Sequence, residues 1–327
     1  MISKLKLPID RFVLLIGISI LIAYFIPEGG ADDFIIPLNL ITSIGISVIF
    51  FLYGLKLSPD KLRLGLKNWR LHVLIQCTTF IIVPLIVLTS LLFINNGTQS
   101  QWWIAFFFLA CLPSTVSSSV VMISIAKGNI PAGIFNASIS GLIGIVLTPL
   151  WMGFFLQNQE SLSFDFTTIY IKLLLEILLP VLIGFLLQKH FRHLIEKHGA
   201  WLTFFDKTII LLIVYKSFAE SFLNDIFAPI TTLELSLITI GVIILFWIVY
   251  SITYYISKAL NFNREDTITA LFCGSKKSLV HGTVFSKILF NHSSMVGIYL
   301  LPLMLFHAIQ LLIVSHLAER MRKAYTK

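Results

Sequence analysis

Ten apolar stretches run through the chain, at about 12–26, 35–55, 71–94, 103–126, 130–156, 167–188, 208–223, 235–257, 267–290 and 295–316. Most approach the ~20 residues that a helix needs to cross a bilayer. No other feature narrows the fold as much, because in lipid only helices and closed barrels satisfy their own backbone. Of the 327 residues 57% are hydrophobic and 12% are charged, against roughly 25% charged in an ordinary soluble domain. A soluble core of this length cannot absorb that much apolar surface. The expectation is an all-α polytopic protein with ten transmembrane helices, partnered by the lipid bilayer.

The net charge of +8 could suggest nucleic acid, but its placement argues otherwise. Lys4, Lys6 and Arg11 precede the first stretch, and Lys56, Lys61, Arg63, Lys67 and Arg70 follow the second. Lys127, then Lys189, Arg192, Lys197 and Lys207, then Lys258 and Arg264, and finally Arg320, Arg322, Lys323 and Lys327 occupy every second connection. The alternate loops, near 27–34, 95–102, 157–166, 224–234 and 291–294, hold no Lys or Arg, only acids such as Glu28, Asp32, Asp33, Glu160, Asp165, Asp225 and Glu234. Basic loops stay cytoplasmic. The chain is therefore expected to be integral and multi-pass with both termini cytoplasmic, in the inner membrane if its source is bacterial, and nucleic acid is not an expected partner. The first stretch also fits a signal peptide, whose removal would leave nine spans. Retention is expected, because that span pairs the two halves.

Ten spans divide into five and five, so a duplicated unit enters the membrane inverted the second time. The halves are residues 1–156 and 157–327, joined at Gln157–Asp165. Their fourth spans correspond. One carries Ala110-Cys-Leu-Pro-Ser-Thr-Val-Ser-Ser-Ser-Val-Val121, the other Cys273-Gly-Ser-Lys-Lys-Ser278. Pro113 removes a helical hydrogen bond and Gly274 lowers helix propensity. A helix broken in mid-membrane must line a cavity or a packed interior, so matched breaks point to a central site. Hydroxyls can also simply cap a kink or aid helix packing. For the run Ser117, Ser118, Ser119 a polar cavity is the better reading, since three consecutive hydroxyls cannot all face one neighbour. Cys77, Cys111 and Cys273 lie in apolar stretches with no metal-ligand spacing and make no disulfide framework. No CxxC, HExxH, P-loop or GxGxxG occurs, and no cofactor is expected.

Cys111-Leu-Pro-x-x-Val-Ser-Ser-Ser119, Lys127-Gly-Asn129, Ile134-Phe-Asn-Ala-Ser-Ile-Ser140 and Phe272-Cys-Gly-Ser-Lys-Lys-Ser278, with Phe51-Leu-Tyr-Gly-Leu-Lys-Leu57, Gln76 and Pro84, resemble the bile acid:sodium symporter family, and more narrowly its SBF-like branch. The resemblance spans nearly the whole chain. It implies a core domain of spans 3–5 and 8–10, a panel of spans 1, 2, 6 and 7, and broken helices 4 and 9 crossing beside the substrate. It also implies Na+ ligands: a Gln in span 3, matched by Gln76; a Ser-Asn pair in span 4, falling near Ser118 and Ser119; span-5 ligands aligning with Gly133 and Ala137, with Asn136, Ser138 and Ser140 within a turn; and a Glu-x-Gly-x-Gln run in span 9. There the Glu position holds Phe272 and the Gln position Lys276.

An acidic ligand is thus replaced and an ammonium stands near the site. Charges at bilayer depth cost at least ~2.5–3.5 kcal/mol and face protein or water. Lys276 and Lys277 lie about 100° apart on a helix, so one is expected to bond carbonyls freed at the break and the other to face the cavity. The expected function is a secondary transporter that moves a small organic anion by alternating access. The candidate binding residues are Gln76, Ser117, Ser118, Ser119, Asn136, Ser140, Gly274, Ser275, Lys276, Lys277, Ser278 and His281, the last as a proton relay or a packing group. Na+ could still bind near Gln76, Ser118, Ser119 and Asn136, or a lysine could take its place. Alternatives are a non-transporting membrane regulator, for instance of calcium handling as the branch implies, and a Ser118–Lys276 intramembrane enzyme. The central groups lack a carboxylate, a metal cluster or paired acids, so no enzyme is expected. Lys172/Glu176 and Lys216/Glu220 are spaced to neutralise each other, Lys287 is expected to snorkel outward, and Asp266 to face a helix dipole. Nothing decides the oligomeric state.

Overall fold

The computed structural model describes residues 11–31, 34–57, 68–92, 100–156, 166–228, 230–290 and 293–325. The join at Gln157–Asp165 and the charges Lys4, Lys6, Asp32, Asp33, Lys61, Arg63, Lys67 and Lys327 lie outside the described residues. Those described form helices and turns, with no strand among them.

In chain order the helices are α1 (Arg11–Phe25), α2 (Leu38–Lys56), α3 (Trp69–Cys77), α4 (Val83–Thr89), α5 (Gln101–Cys111), α6 (Ser117–Ile125), α7 (Ile130–Leu156), α8 (Phe166–Leu173), α9 (Leu179–Leu223), α10 (Thr232–Ala259), α11 (Arg264–Gly274), α12 (Leu279–Leu289) and α13 (Val296–Tyr325). π-helical turns at Thr78–Ile82 and Leu174–Leu178 join α3 to α4 and α8 to α9. Among the described residues six helical stretches are long and apolar enough to cross a membrane: Leu38–Lys56, Trp69–Leu92, Ile130–Phe155, Thr167–Phe191, Thr232–Ala259 and Val296–Ala324. Phe12–Phe25 and Gln101–Cys111 are shorter apolar helices. The protein is an all-helical, multi-pass membrane protein.

Burial divides the helices. On α10, Leu237, Ile240, Ile244 and Trp247 are exposed, as are Leu182 and Leu186 on α9. In water so much apolar surface would drive association; in a bilayer it is the face toward lipid. The opposite holds for α5 and α11. Nearly all of Trp103–Cys111, and every residue from Asp266 to Gly274, is buried. The two helices that run up to the interruptions therefore form the centre. Local signals fix their neighbours' ends. Asn263 caps α11 through the Asp266 N–H at 2.7 Å, and Ser278 caps α12 through the His281 N–H.

The polar stretch 189–207, expected as a loop, is helical. Within α9 only His198 leaves helical geometry (φ −111°, ψ 18°). Both arms nevertheless lie on α2. Gly54 faces the Val181 carbonyl, while Lys56 pairs with Asp206 at 3.1 Å. A straight helix would carry residues 181 and 206 about 37 Å apart, so the chain folds back at the His198–Gly199 kink. The contact of α2 with the first arm is made by glycines on both sides. A Cβ on Gly54 would sit 2.1 Å from the Val181 oxygen, and one on Gly184 would sit 2.1 Å from the Phe51 oxygen. Backbone cannot move aside as a side chain can. Gly54→Ala is expected to force the helices apart at a cost of about 1–3 kcal/mol, read as a lowered Tm in detergent. An unchanged Tm would show that this contact is loose.

Candidate functional site

The chain leaves helical geometry at Leu112–Val116, after α5, and again at Ser275–Ser278, after α11. Each interruption strands the carbonyls of the preceding helix end, and these need partners in a region without water. The Leu109 oxygen accepts from the Leu112 N–H at 3.3 Å. The Cys111 oxygen accepts from Thr148 Oγ1 at 2.8 Å. The Ala110 and Leu112 oxygens accept from Lys277 Nζ at 2.6 and 2.9 Å. The Pro113 oxygen accepts from the Ser278 N–H at 2.8 Å.

The second break is completed from the first. Ser114 Oγ donates to the Cys273 oxygen at 2.6 Å and Ser119 Oγ to the Phe272 oxygen at 3.0 Å. Ser275, its own C-cap, returns Oγ to the Leu271 oxygen at 2.6 Å. Ser140 Oγ accepts from the Ser114 N–H at 3.0 Å. Residues 110–119 and 272–278 therefore meet, and each supplies what the other lacks.

The two lysines are both buried, at 0% and 2% exposure, yet they do different things. Lys277 Nζ donates to three backbone oxygens, those of Ala110, Leu112 and, at 2.8 Å, Thr79. Three backbone oxygens match the three N–H groups that an ammonium would offer. Two of the oxygens lie at the C-terminal end of α5, the negative end of its dipole. The Lys277 backbone is held as well. Its N–H donates to Gln310 Oε1 at 3.0 Å, and its oxygen accepts from Gln310 Nε2 at 2.9 Å. His307 Nδ1 lies 3.0 Å from the same amide nitrogen.

Lys276 has one such partner among the described residues, Ser118 Oγ at 2.9 Å. Ser118 in turn donates to Thr115 Oγ1, and Thr115 Oγ1 lies 2.9 Å from Ser119 Oγ. This cluster sits at the N-terminus of α6, whose N-cap Val116 offers no side-chain acceptor. A cation beside the positive end of a helix dipole is unfavourable unless an anion joins them. Ser117 opens α6; its side chain lies outside the described set.

The other expected ligands gather elsewhere. Gln76 Nε2 donates to the Asn136 oxygen and to Asn136 Oδ1, both at 3.2 Å. Asn136 Nδ2 contacts His72 Nδ1 at 2.8 Å and donates to the Ala132 oxygen at 2.9 Å. The structure thus brings Gln76 to Asn136, and Ser118 and Ser119 to the second break, in two networks rather than one. Gln76 Oε1 and Thr78 Oγ1 are buried without a hydrogen-bond partner. His281 Nδ1 lies 2.9 Å from Ser278 Oγ, its ring packs edge-on against Phe50, Tyr53 and Phe285, and its Nε2 has no partner. Gly274 closes α11.

Two further charged residues find partners. Lys287 donates to the Asn39 oxygen at 2.9 Å, Ser43 Oγ at 3.0 Å and Thr42 Oγ1, at the start of α2. Asp266 does face the α11 N-terminus, but it also accepts from Asn68 Nδ2 at 2.6 Å and Asn129 Nδ2 at 2.8 Å, tying three helix starts together. Sequence reasoning missed His72, His307, Gln310, Thr79 and Thr115. A signal existed for one pair: His307 and Gln310 are polar residues three apart inside an apolar helix, a pattern that marks function or burial in a membrane.

Residues 10–323 match the model of the SBF-like CPA transporter family. The chain is 35% identical over 311 residues to "Uncharacterized protein PA2026" of Pseudomonas aeruginosa, covering 95% of this chain and 92% of that protein. It is 34% identical over 320 residues to "Putative symporter YfeH" of Escherichia coli, covering 98% and 95%. It is 28% identical over 317 residues to "Sodium/bile acid cotransporter 7" of Xenopus tropicalis, covering 94% and 91%.

Proposed function

The chain belongs to the SBF-like CPA transporter family, and from that premise we propose that it moves a small organic anion by alternating access, with Lys276 as the group that attracts it. Its relatives are named as symporters and cotransporters, not enzymes, and it is a transporter of the bile acid:sodium symporter type. The finer reading is a ten-span protein in two inverted halves, residues 1–156 and 157–327. Spans 3–5 and 8–10 form a core that moves against a panel of spans 1, 2, 6 and 7. The mutual hydrogen bonding of the two breaks supports broken helices 4 and 9 crossing in that core. The alternation of basic and acidic loops supports cytoplasmic termini.

One observation carries the anion reading. Lys276 is buried, donates to a single hydroxyl among the described residues, and sits with Ser118 at a helix start that no side chain caps. Ammonium, hydroxyls and helix N–H groups all favour negative charge, and none has a countercharge beside it among the described residues. In this arrangement Lys277 is a tethered cation in the carbonyl cage, and coupling to Na+ at that cage is not needed.

A second reading rests on a different observation. Gln76 Oε1 is buried and unpartnered beside Asn136, which suits a small cation there. Thermal unfolding in NaCl, KCl and choline chloride, with matched uptake in proteoliposomes, separates the two. The first reading expects the three salts to act alike. A saturable stabilisation specific to Na+, reaching about 2.7 kcal/mol at a hundredfold excess over Kd, would establish the second.

A further inference from the structure

The helix that runs through α3, the π-helical turn Thr78–Ile82 and α4 carries one proline, Pro84, at the second position of α4. Pro84 has no N–H to return to the Phe80 oxygen one turn earlier, and its ring crowds that carbonyl. The wider turn removes a second bond. The Val83 N–H, which in an α-helix would reach the Thr79 oxygen, donates to the Thr78 oxygen instead. Two consecutive carbonyls are thereby released inside a helix, in a region where water does not supply donors. Both are answered from other elements. Lys277 Nζ donates to the Thr79 oxygen at 2.8 Å, and Trp151 Nε1, on α7, donates to the Phe80 oxygen at 2.8 Å. Successive residues of a helix are rotated by about 100°, so the two oxygens are reached from two directions. The indole is held in place, stacked on Phe155 at 6.2 Å and edge-on to Phe107 at 6.2 Å. Phe107 lies about one turn before Ala110, whose oxygen Lys277 also takes.

We propose that Pro84 and Trp151 are positioning residues for the lysine pair. Pro84 opens the socket that receives Lys277, and Trp151 keeps it open by satisfying the oxygen that would otherwise compete for a donor within the helix. Lys277 is then fixed at its side chain by this socket and the end of α5, and at its backbone by Gln310. The direction of Lys276 follows, because adjacent side chains differ by a rotation that the backbone sets. That Lys276 meets a transported anion rests on the transport reading above; the socket does not.

The test uses the full-length protein in phosphatidylcholine nanodiscs, as Trp151→Phe, Pro84→Ala and the two together, read by Tm and by hydrogen–deuterium exchange. Trp151→Phe keeps a ring among its aromatic neighbours and removes the N–H. It is expected to lower Tm by about 3–6 °C. It should also raise early deuterium uptake at least about twofold in peptides covering 273–282 as well as 78–84, although Trp151 is engaged with Phe80, Phe107 and Phe155, outside the first of these stretches. Pro84→Ala supplies a backbone N–H one turn after the Phe80 oxygen, the acceptor that the indole has left. The double variant should therefore melt within about 1 °C of Pro84→Ala alone. An indole that only filled space would not be made dispensable by an N–H added on another helix. If Trp151→Phe folds poorly, the same comparison is made on the monodisperse fraction. An unchanged Tm in Trp151→Phe, additivity of the two substitutions, or an exchange change confined to 78–84 overturns the proposal. Both readouts are independent of flux. If they hold while Lys276→Met keeps normal flux, the transport reading fails and the socket stands; if Lys276→Met loses flux while they fail, the reverse holds.

Discussion

Lys277→Met is expected to yield little folded protein. The substitution removes the only side-chain donor to the Ala110, Leu112 and Thr79 oxygens among the described residues, in a region where water cannot replace it. A buried polar group left unpaired costs about 1–3 kcal/mol, so three put roughly 3–9 kcal/mol at stake, against about 5–15 kcal/mol for a typical fold. Methionine matches the length and flexibility of lysine, so a cavity is not the cause. The measurement is the monodisperse fraction on size exclusion, with Tm for whatever survives. A Lys277→Met protein that melts with the parent would mean that the carbonyls find other partners and that the cage is incidental.

Its neighbour should behave in the opposite way. Lys276→Met removes a buried charge that has one hydroxyl partner, and replacing a poorly compensated buried ion by an apolar side chain is often neutral or stabilising by 1–4 kcal/mol. The variant is expected to fold with an equal or higher Tm and to lose substrate flux by about 100-fold or more, the effect of some 2.7 kcal/mol of lost attraction. Flux and Tm must be read together. Normal flux would remove Lys276 from the site; collapse like that of Lys277→Met would erase the division of labour between the two residues.

That the two lysines would divide, one onto freed carbonyls and one away from them, was legible in the sequence; which does which was not. Pro113 and Gly274 announce the interruptions, because a missing N–H and a flexible backbone act locally. The alternation of Lys and Arg between successive connections announces many passes. Which lysine faces which way is not local at all. Lys277 finds acceptors 165 to 198 positions earlier in the chain, and adjacent residues differ only by a rotation that the break itself sets. The same limit explains Gln76 and Asn136: the family resemblance put them with Ser118 and Ser119, but side-chain reach gave them to one another and to His72. The stretch 189–207 failed for another reason. Polarity reports contact with water, not the absence of a helix, and with Pro180 as its one proline α9 has nothing to stop it before the kink at His198.

The ammonium of Lys277 has a consequence for the energetics of the whole cycle. A dissociable ion can be left behind on one side of the membrane, whereas a charge bonded to the chain travels in both directions. If the core carries it through the field, each elementary charge is worth about 2.3 kcal/mol per 100 mV. The empty carrier's return would then be electrogenic, while a carrier loaded with a monoanion would feel the voltage less. Membrane potential, rather than a salt gradient alone, would set the pace of turnover.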